Sequence, residues 1–351
     1  MSLLDNNFYI GDHKVGENSS CLIIAEIGLA HDGSLGAAHA FIDAVATTGA
    51  DAVKFQTHIA SAESSPGEAF RVNVFPQDET RYNYWERTSF TEKQWAGLKK
   101  HAEDKSLIFM STPFSIEAVK MLRRIGVKAW KIGSGETNNI LMLDEISQEN
   151  EPVLLSSGMS YLHELEISVN RLKDKGMPLL LMQCTNRYPC PPEKLGLNII
   201  SDYNKRFQIP IGFSDHSGEV GPCLAAVTMG AKAIEVHVTW HSGCFGPDVK
   251  ASLTIEGLSL LTKNIRIIET AISNPIDKDL MAEEMNDMRL LFTKGLVAKN
   301  DITEGEVITK NHINAKKPCT GIPVHEYEKI IGKSASRFIE KGESIDWNDI
   351  R

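Results

Sequence analysis

Lys54 and Lys131 stand inside short apolar runs, Ala52-Val53-Lys54-Phe55-Gln56 and Ala129-Trp130-Lys131-Ile132-Gly133. A buried charge is costly unless it is paired, so two such lysines point to a ligand or partner of opposite sign. With Ser134, Ser156 and Ser214 they make a site for a phosphate and a carboxylate. Either lysine can instead be read as a Schiff-base nucleophile. His216 and His237 close two neighbouring runs. They are read as metal ligands completed by substrate oxygens and water, a donor set that suits manganese or a similar divalent ion. Glu26 and Glu136 are read as acid–base groups or as partners of sugar hydroxyls.

These residues need elements that carry them to one place. Eight β-rich apolar runs occur, at 21–27, 52–56, 107–111, 129–133, 152–156, 178–184, 210–214 and 233–239. Their near-continuous apolar character is that of strands covered on both faces, as in a parallel sheet. Amphipathic stretches follow them at 35–48, 91–105, 115–125, 141–148, 161–175, 195–207, 219–229 and 255–273. Gly49, Gly126, Gly176 and Gly230 stand where helix C-caps are expected. Eight βα units in series predict an α/β fold, a (β/α)8 TIM barrel. An open doubly wound sheet is the competitor, but no GxGxxG follows the first run. Barrel enzymes work at the C-terminal ends of their strands. There the sequence delivers Glu26, Lys54, Gln56, Thr112, Lys131, Ser156, Gln183, Asn186, Tyr188, Ser214, His216, Glu235 and His237.

The barrel is expected over 1–280. An acidic, Met-rich linker follows at 281–294, and a small domain of short strands and tight turns at 295–351. The 351 residues carry a net charge of −9, against a general affinity for nucleic acid or anionic membrane. No apolar run approaches the ~20 residues of a membrane helix. Met1–Asn7 has no basic start and no apolar core, so no signal peptide is expected. The six cysteines form no CxxC pair, which fits free thiols in a reducing cytoplasm.

In order along the chain stand Ile23-Ile24-Ala25-Glu26-Ile27-Gly28, Lys54-Phe55-Gln56-Thr57, Ser111-Thr112-Pro113-Phe114 and Lys131-Ile132-Gly133-Ser134-Gly135-Glu136. Ser156-Ser157-Gly158-Met159, Gly212-Phe213-Ser214-Asp215-His216 and Gly246-Pro247-Asp248 follow. With these motifs the chain resembles the sialic acid synthase (N-acetylneuraminate synthase) family, which includes spore-coat polysaccharide synthases. Residues 295–351, with Thr320-Gly321-Ile322, resemble that family's antifreeze-like (SAF, β-clip) domain.

The resemblance implies condensation of phosphoenolpyruvate with an open-chain N-acetylated amino sugar, N-acetylmannosamine-like, giving a nonulosonic acid and phosphate. It implies that Lys54, Lys131, Ser134, Ser156, Asn186 and Ser214 hold phosphoenolpyruvate. His216 and His237 would hold the metal, manganese with magnesium or cobalt as alternatives. Glu26, Glu136, Tyr188 and Asp248 would face the sugar, with Glu26, His237, Lys54 and Lys131 as the catalytic set. It also implies a domain-swapped homodimer in which Lys317 reaches the acceptor, where the family has arginine. Other departures are Ala30 before His31-Asp32-Gly33, Val249 in place of histidine, Cys319 in place of glycine, and the loop 239–245. They are expected on the sugar side. A lysine Schiff-base pyruvate aldolase and a non-catalytic sugar-binding homologue are the alternative readings.

Overall fold

The computed structural model describes residues 7–70 and 77–351. The reading of a leaderless N-terminus lies outside the described residues except at Asn7. The chain forms two compact units, divided between Ser273 and Asn274.

In the first unit all eight expected strands form: Leu22–Gly28, Ala52–Thr57, Ile108–Pro113, Trp130–Ile132, Val153–Ser156, Leu179–Cys184, Ile211–Asp215 and Ala233–Thr239. Each is parallel to its neighbour, and the eighth pairs with both the seventh and the first, closing the barrel. A ninth short strand, Ser252–Thr254, lies parallel beside the eighth.

The strand sequences explain both the core and the site. One set of alternate residues packs toward the helices, with Ile23, Ala25, Val53, Phe55, Trp130, Leu155, Leu181 and Phe213 in one large cluster. The other set begins apolar, with Leu22, Ile24, Ala52, Met110, Ala129, Leu154, Leu180 and Ala233 in a second cluster. Two residues further along the same rows stand Glu26, Lys54, Thr112, Lys131, Ser156, Met182 and Glu235. Side chains alternate with a period of two, so each inward row changes from apolar to mostly polar as it climbs. The bottom is sealed by a hairpin, Phe8–Ile10 with His13–Val15, whose Ile10 and Val15 join the inner cluster. Gly212 is the one inward position that tolerates no side chain. A Cβ there would lie 2.4 Å from Met182 Sδ and 2.9 Å from the Ala233 carbonyl.

The helices follow their local signals. Ser34 and Ser115 cap Leu35–Ala46 and Ile116–Ile125, and Thr91 with Gln94 forms a capping box on Glu92–Asp104. Gly126 takes the left-handed conformation that ends its helix. Two differences from the sequence reading concern loops. The helix expected at 195–207 begins only at Asn198, after a 3-10 turn at Pro192–Lys194. Two unforeseen short helices, Ala60–Glu63 and Arg81–Thr88, lie between the second strand and the helix Glu92–Asp104.

The second unit opens with two helices, Lys278–Glu284 and Asn286–Phe292, over the acidic, Met-rich stretch read as a linker or connecting helix. Strands Gly295–Ala298 and Ile313–Lys316 then pair antiparallel. Its own core gathers Leu296, Ile302, Ile308, Ile322, Ile330, Ile339 and Ile345. Among the described residues no helix is long and apolar enough to cross a membrane.

Candidate active site

A cavity of about 550 Å³ opens within the first unit at the C-terminal ends of the strands. Glu26, Lys54, Lys131, Ser134, Glu136, Ser156, Asn186, Tyr188, Ser214, His216, His237 and Asp248 all line it. These candidates from the barrel sequence are therefore brought together, whereas Gln183 is not among the lining residues and donates instead to the Leu195 carbonyl at 3.3 Å. Lys317 belongs to the second unit, where its Nζ lies 5.4 Å from the centre of the Phe292 ring.

The floor is a quartet of buried charges. Lys54 Nζ lies 2.6 Å from Glu26 Oε2 and 3.8 Å from Glu235 Oε1. Lys131 Nζ donates to the same Glu235 oxygen at 3.0 Å, and Ser214 Oγ donates to it at 3.2 Å. Lys54 also donates to Thr112 Oγ1 at 2.9 Å. Burial alone would strip Lys131 of its proton, but Glu235 outweighs it and holds the ammonium above its ordinary range. Burial likewise works against the Glu235 carboxylate. Lys131 and Lys54 overcome it and hold the group well below the usual carboxylate range. Both partners thus stay charged. Glu235 was visible in the sequence only as one polar residue among many. Its pairing with Lys131 spans 104 residues, so no local pattern announces it.

Above the quartet the rim is tightly fitted. Ser134 Oγ lies 3.1 Å from Cys184 Sγ. Gly158 must lack a side chain, since a Cβ there would come within 2.7 Å of Ser134 Oγ and 2.8 Å of Asn186 Oδ1. The first strand carries a register shift between Glu26 and Gly28, and Gly28 takes φ +54°. Such a bulge re-aims side chains at a barrel rim.

The histidines meet on the other side. The Thr185 carbonyl accepts from His216 Nδ1 at 2.8 Å, so that nitrogen carries the proton. The Nε2 lone pair then faces the Tyr188 hydroxyl at 3.0 Å. Burial, and next the neighbouring His237, lower the His216 pKa to about 3. The two imidazole centres are 5.5 Å apart, and His237 Nδ1 lies 4.0 Å from Asp248 Oδ2. A neutral imidazole with its tautomer fixed by a carbonyl is what a metal ligand requires. His216 meets that requirement, and His237 stands beside it as the second imidazole such a site would use. Among the described residues no third His, Cys, Asp or Glu joins them, so the remaining positions would fall to substrate oxygens and water.

A further side of the cavity contains Glu136, whose pKa burial raises even though Asn139 Nδ2 donates to it at 2.8 Å. Its wall is formed by His58, Glu63, Glu68, Phe70, Arg81, Tyr84 and Trp85. Sequence reasoning missed this wall because it belongs to a strand-to-helix connection rather than a strand end. The dense Arg81-Tyr82-Asn83-Tyr84-Trp85 run was its one available signal. Of the departures expected on the sugar side, three in the first unit lie outside the cavity lining. Ala30, Trp240 and Val249 do not line the cavity, and Trp240 stacks on Phe41 with ring centres 4.3 Å apart.

Comparison with known proteins gives a consistent grouping. The model of the NeuB family matches residues 41–277, and that of the SAF domain matches 293–351. The chain is 35% identical to the N,N'-diacetyllegionaminic acid synthase of Campylobacter jejuni, over 92% of this chain and 98% of that protein. It is 31% identical to the human N-acetylneuraminate-9-phosphate synthase, over 94% and 93% respectively. A crystal structure of the N-acetylneuraminic acid synthetase of Leptospira borgpetersenii, in complex with citrate, superposes with a TM-score of 0.71. That match has 30% identity and covers 81% of this chain and 96% of the other.

Proposed function

Because this chain belongs to the NeuB family, we propose that it is a nonulosonic acid synthase that condenses phosphoenolpyruvate with an open-chain N-acetylated amino sugar. The observation that carries this reading is the buried quartet of Lys54, Lys131, Glu26 and Glu235. Lys131, held charged by Glu235, and Lys54 lie at the base of a cavity rimmed by Ser134, Ser156, Asn186 and Ser214. Charged lysines suit a dianionic phosphate and a carboxylate. The Lys131 ammonium does not suit a Schiff base, which needs a neutral amine.

In this mechanism Lys54, Lys131 and the rim hydroxyls orient phosphoenolpyruvate with its enol carbon toward the acceptor aldehyde. The enol carbon attacks, the new C–C bond forms, and positive charge develops at the carbon bearing phosphate. Water adds there, and the tetrahedral intermediate releases phosphate with cleavage of the C–O bond. Glu26 serves as the acid–base group of the water addition. Glu136, Tyr188 and Asp248 hold acceptor hydroxyls. A divalent ion on His216 and His237, manganese or in its place magnesium or cobalt, would supply Lewis-acid polarisation of the aldehyde carbonyl.

The SAF domain extends the proposal. A homodimer that exchanges this domain would bring Lys317 to the acceptor, where a point-charge ammonium cannot reproduce arginine's two-pronged contact. Mixing inactive His237→Ala and Lys317→Ala chains should then restore activity in mixed dimers, and no recovery after exchange would refute it. The six thiols, all free, support a cytoplasmic setting.

The test of function is phosphate release from phosphoenolpyruvate with manganese and a panel of N-acetylated amino sugars. Acceptor-dependent release supports the proposal. No release with any acceptor, together with borohydride trapping of pyruvate on a lysine, would replace it by the aldolase reading.

A further inference from the structure

His58 follows the second barrel strand directly and is almost fully buried, its side chain 4% exposed. Its ring is held between two aromatic faces. Trp85 stacks on it at 4.8 Å and 13°, and Phe114 at 4.2 Å and 14°. Nδ1 lies 2.6 Å from Glu63 Oε1, whose side chain is equally buried. Nε2 lies 3.3 Å from Gln56 Oε1.

The Gln56 amide is not free to turn over. Its Nε2 donates to Glu26 Oε1 at 3.0 Å, and a flipped amide would set two oxygens against each other. Both His58 nitrogens therefore face acceptors. A neutral imidazole has one N–H and would leave a lone pair against one of them. With the Glu63 carboxyl ionised, only the imidazolium satisfies both contacts. Its charge is favoured by the Glu63 carboxylate and by aromatic faces above and below. Among the described residues, the other charged or titratable groups around it are Glu136, His31, and Arg81, whose guanidinium lies 4.6 Å over the same Trp85 ring.

We propose that His58 is a buried imidazolium that acts as a positioning residue. Through Gln56 it fixes the orientation of Glu26, the carboxylate paired with Lys54 at 2.6 Å. His58 itself need not touch a reacting atom. The row Glu63, His58, Gln56, Glu26 and Lys54 alternates in charge around one neutral amide. It ties the acceptor wall to the phosphoenolpyruvate floor.

Two measurements test this. The first uses the intact protein with 15N-labelled histidine, of which there are eleven. Long-range 15N–1H correlation should show both His58 ring nitrogens protonated at pH 8, assigned by loss of the signal in His58→Phe, or in His58→Gln should the former not fold. A neutral tautomer pattern at pH 8 overturns the proposal.

The second is kinetic and rests on the synthase reading. His58→Phe keeps the stacked slot but removes both N–H groups, and Gln56→Met removes the link. Each should lower kcat/KM for the acceptor at least tenfold. The double variant should be no worse than the worse single one, since one residue acts through the other. Multiplying losses would show that the residues act independently and would also overturn the proposal. If the wild type turns over no acceptor, the synthase reading fails, while the NMR result still decides the state of His58.

Discussion

Lys131 Nζ and Glu235 Oε1 meet at 3.0 Å on the barrel floor, both side chains 4% exposed. The pair joins the fourth strand to the eighth across the barrel, and Lys54 shares the same carboxylate oxygen at 3.8 Å. Removing one member of such a group leaves an uncompensated buried charge, which typically costs ~3–5 kcal/mol. Glu235→Gln should therefore lower the unfolding free energy by an amount on that order in urea titrations. Phosphoenolpyruvate should then raise the stability of Glu235→Gln more than that of the wild type, because the ligand brings the missing negative charge. Equal stabilisation of both would mean that the ligand's charge does not reach the quartet. Lys54→Met or Lys131→Met should instead cost binding or turnover, with a loss on the order of 2–5 kcal/mol in kcat/KM for phosphoenolpyruvate.

Gly158 gives a prediction about shape rather than charge. A methyl group there would sit 2.7 Å from Ser134 Oγ and 2.8 Å from both Asn186 Oδ1 and Cys184 Sγ. Gly158→Ala should leave the far-ultraviolet circular dichroism intact while raising the KM for phosphoenolpyruvate at least tenfold. An unchanged KM would place the phosphate away from the Ser134–Asn186 rim.

How much of this was legible in the sequence follows from what each residue depends on. The eight strands were readable because apolar runs covered on both faces need no partner to be recognised. The rim candidates were readable because each polar residue interrupts an inward row at the same height, as Glu26 does after Leu22 and Ile24. Glu235 appeared as a polar residue but not as the counter-ion of two lysines, since that pairing exists only once the barrel closes. The wall residues His58, Glu63 and Trp85 were not readable either. They are held by ion pairing and stacking between short connecting segments, which leaves no periodicity.

His31 yields a prediction about pH. It is buried, its Nδ1 accepts from the Gly33 amide at 3.1 Å, and its Nε2 has no hydrogen-bond partner among the described residues. Burial, then the nearby His58, lower its pKa from 6.5 to about 4. Between these two values the unfolded chain binds more protons than the folded one, so acidification favours unfolding. The contribution of His31 is present in full above pH 6.5 and is lost as pH falls toward 4. Urea unfolding midpoints should drop over this window in the wild type, and His31→Gln should show a shallower drop. An identical slope would place the acid sensitivity in other groups.

The central claim is that phosphoenolpyruvate is consumed by attack of water at its phosphate-bearing carbon after C–C bond formation. Oxygen-18 in the bridging position of phosphoenolpyruvate tests it most directly, with mass spectrometry of both products after a single turnover. The account predicts that the label leaves with phosphate and that the keto oxygen of the sugar acid comes from water. Label retained in the keto acid would mean attack at phosphorus, and the account would be contradicted.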